Sequence, residues 1–308
     1  MRVFLKNGKG LEATEQWQKN CWINIECPDE QDREYVINEL NIPLSFYKDI
    51  EDIDERPRIE IEDGWFFFLL RIPHKTHDTS LPFTTVPLGV IFNEEVILSV
   101  CFFKTDLIQD FIGHTRRKNI VIENNFDLLL KLLLSSSIWF LKYLKQINQQ
   151  IKTAESKLEK SIKNEDLQTL LQIEKCLVYF ITSLKGNDIL LHKIKNIKTR
   201  RDEFDLELIE DVEVELKQAQ EITNIYSDIL SGMMDAYASV ISNNLNVVMK
   251  RLTSISIILM IPTLIASLYG MNVPNSFEQS SIGFWLILLF SFLLSTSGVL
   301  LFKRKSWL

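Results

Sequence analysis

Residues 246–272 of this 308-residue chain read NVVMKRLTSISIILMIPTLIASLYGMN. From Leu252 to Phe277 the chain has no charged side chain, and a second uncharged run extends from Gln279 to Phe302. A helix needs about 20 apolar residues to cross the hydrocarbon core of a bilayer. Both runs reach this length, so the sequence predicts two transmembrane helices in its C-terminal part.

The first of these runs has two chemically different faces. Its small polar residues and methionines recur in steps of three and four, at Asn246, Met249, Thr253, Ser256, Met260, Thr263, Ser267 and Gly270. This spacing places them in one stripe along a helix, and the other faces are Ile, Leu and Val. Such a stripe is expected to face other helices or water rather than lipid. Spacing alone leaves two interpretations open: a seam between the helices of a plain membrane anchor, or one wall of a pore built from several copies.

A pore lined by this stripe would carry no charge and would have two kinds of ring. Polar rings hold hydrated ions, while apolar rings close a pore by excluding water. The candidate polar rings are Asn246, Thr253 or Ser256, and Thr263. The candidate gate residues are Met249, Leu252 and Met260, and Ser267 belongs to the same lining.

The rest of the chain has the composition of a cytosolic body. Residues 1–251 carry 71 charged side chains and residues 252–308 carry four. The four cysteines form no Cys-x-x-Cys pair, as is typical of reduced thiols. This composition excludes a purely soluble globule, a disordered chain and a secreted disulfide scaffold. Basic residues precede the first span and follow the second, so the positive-inside rule predicts a multi-pass cell-membrane protein with both termini in the cytoplasm.

Residues 1–125 are predicted to form a cytoplasmic α/β domain. Runs rich in β-branched and aromatic residues predict strands, and apolar residues at helical spacing predict helices. The predicted strands are Trp22–Glu26, Trp65–Ile72, Leu88–Phe92 and Val96–Phe102, and the predicted helices are Glu30–Leu40 and Asp106–Arg117. Four prolines are expected in loops, namely Pro57, Pro73, Pro82 and Pro87.

A long helical stalk is predicted over residues 126–250, which contain no proline. We expect one break near Lys185–Asp188, where Gly, Asn and Asp favour a turn. The last stalk helix would continue directly into the first span. The remaining predicted segments are the pore-lining span at 251–271, an external loop at 272–281, a second span at 282–302 and a basic cytoplasmic tail at 303–308.

The first span ends in Tyr269-Gly270-Met271-Asn272, and here the sequence resembles the CorA family of divalent-metal transporters. The signature of that family is Gly-Met-Asn at the outer end of the first of two C-terminal spans. Residues 226–237, YSDILSGMMDAY, are also similar to the family. The resemblance implies an α+β membrane protein that forms a homopentameric funnel, with the first span lining the pore. It assigns the selectivity filter to Gly270, Met271 and Asn272.

The resemblance also implies roles for acidic residues. Glu278 in the outer loop would attract cations. In the cytoplasm, Asp49 and Asp211 of adjacent subunits match the carboxylates that bind a regulatory Mg²⁺ in the closed state. Lys48 precedes Asp49, whereas family members often carry a second acid at that position. Mg²⁺ dehydrates reluctantly, so a ring of Asn272 amides is suited to accept hydrogen bonds from the water that the ion retains.

The function implied is uptake of Mg²⁺, with Co²⁺ and Ni²⁺ as further candidate ions, gated by cytosolic Mg²⁺. Mg²⁺ would be both transported and regulatory, and the partners would be the lipid bilayer and other copies of the chain. The sequence has no phosphate-binding glycine loop and no nucleophile elbow, so we expect no enzymatic activity, organic cofactor or nucleic-acid partner. Two alternatives stay open: a proton-coupled zinc transporter of the same fold, and a non-conducting membrane-anchored sensor or scaffold.

Overall fold

A computed structural model describes residues 2–8, 10–19, 21–76, 81–160, 164–197, 205–271, 282–305 and 307. The chain divides into two compact units, Met1–Gly232 and Met233–Leu308. The helices are α1 (Glu30–Glu34), α2 (Leu44–Glu51), α3 (Asp106–Lys118), α4 (Asn125–Lys160), α5 (Asn164–Lys195), α6 (Leu206–Tyr269) and α7 (Gly283–Arg304). A π-helical turn, Tyr35–Glu39, follows α1 directly.

The first unit contains one mixed sheet. Its strands are β1 (Arg2–Gly8), β2 (Gly10–Thr14), β3 (Cys21–Glu26), β4 (Arg58–Glu62), β5 (Trp65–Lys75), β6 (Phe83–Phe92) and β7 (Ile97–Cys101). They lie in the order β2-β1-β3-β7-β6-β5-β4, and among these described strands only β3 and β7 pair in parallel. The four predicted strands and the two predicted helices of this region are therefore confirmed, with two differences. β6 begins five residues before the predicted start at Leu88, and the predicted helix Glu30–Leu40 is α1 followed by the π-helical turn.

Helices cover both faces of the sheet. On one face α2 packs over β6 and β7, and Phe46 stacks on Phe67 with ring centroids 4.5 Å apart. On the other face α4 and α5 pack on β5 and β6, and Phe126 lies edge-on to Phe68 and Phe92. Because consecutive residues of a strand point to opposite faces, Phe67 and Phe68 enter two different cores. This explains why β5 reads as a continuous apolar run rather than an alternating one.

Three strands and one helix lie outside the predicted elements: β1, β2, β4 and α2. β4 reads RIEIE at the edge of the sheet, and its Ile61 is 61% exposed. α2 has only eight residues, too few for a clear helical period. Both owe their position to packing against neighbours rather than to a strong local pattern.

The loop predictions for Pro73 and Pro87 are wrong, because both residues lie in strands. Pro87 is paired with Arg71, and Pro73 is paired with Thr85. These pairs belong to the part of the β5–β6 hairpin that extends past the registers of β4 and β7. Each proline therefore lies where its strand has only one paired neighbour, which is where a sheet tolerates a residue without an N–H.

The predicted helix break at Lys185–Asp188 is also wrong, because α5 passes through it without interruption. A glycine is required at position 186 for steric reasons, because a Cβ there would lie 2.7 Å from the ring of Pro57. The stalk instead has α4 ending at Lys160 and α5 beginning at Asn164. The tertiary contact, and not a turn, accounts for this glycine.

The second unit consists of the C-terminal part of α6 and of α7. Both helices contain a stretch that is long and apolar enough to cross a membrane, and little of either stretch is buried within the chain. α6 continues through Pro262 without ending. The fold is thus an α/β domain with long helices and two C-terminal apolar helices.

Candidate ion pathway and acidic sensor site

Seven of the eight residues of the polar stripe lie on α6, and the eighth, Gly270, directly follows the helix. All eight are exposed in the single chain. The row Ser254, Ile258, Ile261 and Ile265 is buried or half-buried instead. A Cβ at Gly298 would lie 3.6 Å from Ile261 and 3.7 Å from Ile258, so this row faces α7. At 3.6 residues per turn the stripe lies roughly 160° away from the row. The chain therefore covers the apolar back of α6 and leaves the stripe uncovered.

The hydroxyl groups of the stripe have a defined orientation. Ser256 Oγ donates to the Leu252 carbonyl at 2.9 Å, and Thr263 Oγ1 donates to the Leu259 carbonyl at 3.0 Å. Their protons are therefore directed at the helix backbone, and the oxygen lone pairs face outward. A surface of this kind accepts hydrogen bonds from water, which suits a hydrated cation.

The three candidate gate residues are also uncovered. Met249, Leu252 and Met260 are 52%, 58% and 67% exposed. They alternate along α6 with the hydroxyl-bearing positions, and no charged side chain interrupts the series from Leu252 to Gly270. The arrangement can supply apolar constrictions between polar rings once other copies face it.

Beyond the C-terminal end of α6 the chain is described as far as Met271. The Gly270 N–H donates to the Ala266 carbonyl at 2.9 Å, and a Cβ at Gly270 would lie 3.3 Å from that oxygen. Met271 is 54% exposed. Two residues assigned by resemblance, Asn272 and Glu278, lie outside the described residues.

Asp49 lies on α2 and is held by an arginine of the same chain. Arg58 Nη2 contacts Asp49 Oδ2 at 2.5 Å, and the same guanidinium pairs with Glu55 and with Glu60, the latter at 2.7 Å. Partial burial would lower the pKa of Arg58, but the hydrogen bond and charge of Asp49, followed by the charges of Glu60 and Glu55, raise it above its usual value. Arg58 therefore remains a cation in the middle of three carboxylates.

Arg58 is the site residue that sequence reasoning missed. Arg56 and Arg58 follow the same acidic run, and nothing in the local sequence separates them. Arg58 is the first residue of β4 and Arg56 is exposed before it. The fold alone thus selects which arginine neutralises Asp49.

Asp211 is exposed on α6 and is not part of a cluster with Asp49 in the single chain. Within the described residues there is no group of three or more His, Cys, Asp or Glu side chains able to hold a metal. The two carboxylates nevertheless suit a hard cation, since Asp49 keeps 21% of its side chain exposed and Asp211 faces solvent. A shared ion would need a second copy of the chain.

Near Asp211, Glu213 joins α5 to α6. It pairs with Lys195 on α5 and with Lys217 on its own helix, the latter at 2.7 Å. Hydrogen bonds from Lys195 and then from Lys217 lower the pKa of Glu213 to about 2. A lowered carboxyl pKa stabilises the fold above the usual Glu pKa, and the contribution is lost as the pH falls through the folded-state value.

We therefore expect Glu213→Gln to lower the stability of the fold at pH 7, by about 1 kcal/mol or less because the pair with Lys195 is partly exposed. The difference from the parent should shrink below about pH 4 and vanish near pH 2. Urea midpoints of both proteins across this range, followed by tryptophan fluorescence, measure it. A difference that stays constant down to pH 2 would contradict the assignment.

The comparisons with known proteins agree with this geometry. The family model described as "CorA-like Mg2+ transporter protein" matches residues 17–304. The cobalt/magnesium transport protein CorA of Methanocaldococcus jannaschii is 26% identical over 93% of this chain and 91% of its own length. The protein with the same description from Thermotoga maritima is 25% identical over 93% of this chain and 83% of its own length.

The solved structure of the complete CorA magnesium transporter from Methanocaldococcus jannaschii superposes with a TM-score of 0.84. It is 24% identical, and the superposition covers 100% of this chain and 99% of that one. The two proteins therefore share one fold from the sheet to the last apolar helix. With the family model matching from residue 17 to residue 304, the chain belongs to the CorA-like Mg²⁺ transporter protein family.

Proposed function

We propose that this protein is a Mg²⁺ uptake channel, with Co²⁺ and Ni²⁺ as further ions, that works as a homopentamer without enzymatic activity or an organic cofactor. Five copies of α6 would surround the pore, with Gly270, Met271 and Asn272 at its outer mouth and Glu278 attracting cations from the loop. Residues 1–250 would form the cytoplasmic body, 251–271 and 282–302 the spans, 272–281 the outer loop and 303–308 a cytoplasmic tail.

The observation that carries this proposal is the uncovered, uncharged stripe on α6. A span whose polar face has no partner within its own chain needs other copies or water against that face, because lipid satisfies no polar group. The stripe presents oxygen lone pairs and no fixed charge, so it can pass an ion that keeps its hydration shell. The curated relatives named as cobalt/magnesium transporters agree with this substrate class.

The membrane potential supplies the driving force in this proposal. No nucleotide-binding loop occurs in the sequence, so transport would follow the electrochemical gradient. An inside-negative potential stabilises a divalent ion by about 4.6 kcal/mol per 100 mV, from about 2.3 kcal/mol per charge. Basic residues precede the first span and follow the second, so both termini would lie in the cytoplasm under the positive-inside rule.

Flux into proteoliposomes tests the function. We expect Mg²⁺ entry under an inside-negative potential, and at least about tenfold slower entry for Asn272→Ala, because the water held by Mg²⁺ loses its hydrogen-bond acceptor at the outer mouth. Asn275→Ala, three residues further along, is the matched control and should conduct like the parent. Equal flux through Asn272→Ala and the parent would remove Asn272 from the filter, and no flux through any of them would overturn the transport function.

The same assay separates the alternatives. Entry that prefers Zn²⁺ and follows a pH gradient would favour proton-coupled zinc transport, although the stripe offers no titratable group for such coupling. A chain that runs as a monomer or dimer in native mass measurement and carries no ion would favour a membrane-anchored scaffold. Neither the family relatives nor the geometry of α6 favours these alternatives.

Regulation would use Asp49 of one subunit and Asp211 of the next, bridged by cytosolic Mg²⁺ in the closed state. Within the single chain Arg58 pairs with Asp49, so a metal ion at Asp49 would compete with that guanidinium. Glu55 and Glu60 would still pair with Arg58 after a metal ion had replaced it at Asp49. The guanidinium would therefore keep carboxylate partners when the ion binds. Arg58 would thereby set the Mg²⁺ concentration at which the channel closes.

Arg58→Gln should therefore close the channel at an internal Mg²⁺ concentration several-fold lower than in the parent, while Asp211→Asn should shift it higher. Arg56→Gln is the matched control, because it removes the same charge two residues earlier in the chain without freeing Asp49. Inhibition curves in proteoliposomes, and Mg²⁺ protection of the chain against limited proteolysis, measure both shifts. If Asp211→Asn changes nothing, the sensor assignment fails; if Arg58→Gln behaves like Arg56→Gln while Asp211→Asn shifts, only the competition is wrong.

A further inference from the structure

Five cationic side chains lie at the same end of the two apolar stretches, where the stretch of α6 begins and that of α7 ends. Lys250 and Arg251 lie on α6, Lys303 and Arg304 end α7, and Lys305 follows. All five are exposed, and within the part of the chain that the structure describes none forms an ion pair with a carboxylate. A cluster of exposed cations of this kind attracts anions.

The chain itself offers few candidates. Between Asp235 and Glu278 the sequence contains no acidic residue. Asp235 precedes Lys250 by 15 residues of continuous helix, a separation of roughly 22 Å. That is more than twice the Debye length of about 8 Å at physiological ionic strength, so Asp235 is a weak partner.

The five cations lie at nearly the same depth. Gly298 of α7 packs at the level of Ile258 and Ile261 of α6. Arg251 lies seven residues before Ile258 on α6, roughly 10 Å from this level. Lys303 lies five residues after Gly298 on α7, roughly 8 Å from the same level. The apolar stretch of α6 from Leu252 to Tyr269 is roughly 26 Å long, close to a hydrocarbon core of about 30 Å. The cations thus form one layer at the edge of that core.

The two α6 cations also point away from the ion pathway. At 3.6 residues per turn, Lys250 lies roughly 100° and Arg251 roughly 160° from the centre of the stripe. Arg251 is therefore on the side of α6 that faces α7. Charges in these directions face the surroundings of the helix pair rather than a pore along the stripe.

Trp307 completes the layer. Its ring stacks on Phe302 with centroids 5.8 Å apart and an interplanar angle of 22°, and its backbone N–H donates to the Phe302 carbonyl at 3.0 Å. The indole is 38% exposed beside the three cations at the end of α7. Tryptophan prefers the headgroup level of a bilayer, where its apolar ring and its N–H are both accommodated.

We propose that Lys250, Arg251, Lys303, Arg304 and Lys305, together with Trp307, form a binding site for anionic phospholipid headgroups. The lipid phosphate and any further headgroup charge pair with these cations, and the acyl chains lie along the apolar faces of α6 and α7. Basic residues immediately beside a span attract anionic lipids, with an effect that adds from one charge to the next. The site holds annular lipid and takes no part in ion selection.

Fluorescence quenching of the full-length chain tests the site. The protein is placed in phosphatidylcholine bilayers containing a few mole per cent of brominated phosphatidylglycerol or brominated phosphatidylcholine. We expect the anionic lipid to quench tryptophan emission at a roughly tenfold lower mole fraction than the zwitterionic lipid. The triple variant Lys303→Gln, Arg304→Gln, Lys305→Gln should lose most of this preference.

The control removes three lysines from an exposed stretch of α4, with Lys145→Gln, Lys152→Gln and Lys157→Gln. It makes the same change in charge and should keep the lipid preference. Equal quenching by both brominated lipids in the parent chain would overturn the site without any variant. Loss of the preference in millimolar inorganic phosphate would also overturn it, because the site would then bind free phosphate rather than lipid.

Discussion

Thr263→Arg should reduce Mg²⁺ entry at least about a hundredfold, whereas Thr296→Arg should leave entry per inserted protein within about twofold of the parent. Arginine keeps its charge in any protein environment, so each copy would place one fixed cation in the lining. A divalent ion about 8 Å from such a charge, at an effective dielectric constant of about 20, meets roughly 4 kcal/mol of repulsion. A barrier of that height slows passage about a thousandfold.

Thr296 is a close match for Thr263 in everything except the face it occupies. Its hydroxyl donates to the Phe292 carbonyl at 2.8 Å, as the Thr263 hydroxyl donates to Leu259. It lies two residues from Gly298, which packs at the depth of Ile261, and it points away from α6. An arginine at either position therefore bears a similar insertion cost, about 2.5–3.5 kcal/mol at the centre of a span.

Radioactive or dye-reported Mg²⁺ influx, normalised to the protein inserted in each vesicle preparation, measures both variants. A comparable loss of Mg²⁺ influx in both variants would mean that the charge disrupts assembly, and such a result would not support a pore along the stripe. Normal influx through Thr263→Arg would show that the ion does not pass along the stripe. Only a large loss confined to Thr263 supports a pathway lined by α6.

The spans and the stripe could be predicted because their signals are local. An uncharged run of sufficient length and a repeat of three and four residues are properties of one helix, and packing does not alter them. Spacing predicts the stripe, and all eight of its residues are exposed in the single chain. The ion pair between Asp49 and Arg58 depends instead on how β4 is placed beside α2, and no local pattern contains that information.

The dependence on tertiary contacts also explains why the predicted helix break at Lys185–Asp188 is wrong. Gly, Asn and Asp in succession favour a turn in an isolated peptide. In this fold the glycine makes room for Pro57, and the asparagine makes a long-range contact with the sheet. Gly186 and Asn187 both have low helix propensity. Their tertiary contacts compensate for this, and those contacts exist only in the folded domain.

Asn187→Ala should destabilise the α/β domain by about 3–5 kcal/mol. The side-chain amide of Asn187 accepts from the Arg71 N–H at 2.9 Å and donates to the Arg71 carbonyl at 2.7 Å. Arg71 pairs with Pro87, which has no N–H, so the backbone groups of Arg71 point to the other side of β5. β4 pairs with β5 only as far as Leu69, and Asn187 therefore supplies the hydrogen bonds that a further strand residue would have made.

Alanine at this position would leave a buried N–H and a buried C=O without partners, at about 1–3 kcal/mol each, and a small cavity in addition. For a domain of this size the loss corresponds to a fall of roughly 6–20 °C in melting temperature. Asn196→Ala, just past the end of α5, is the control. The Asn196 amide donates to the His192 carbonyl at an exposed position, and its removal should cost less than about 0.5 kcal/mol. Thermal unfolding of the full chain in detergent, followed by tryptophan fluorescence, compares the two. A difference of about 2 °C in melting temperature corresponds to only about 1 kcal/mol of stability. If the two variants melt within that range of each other, the amide of Asn187 does not substitute for the missing strand.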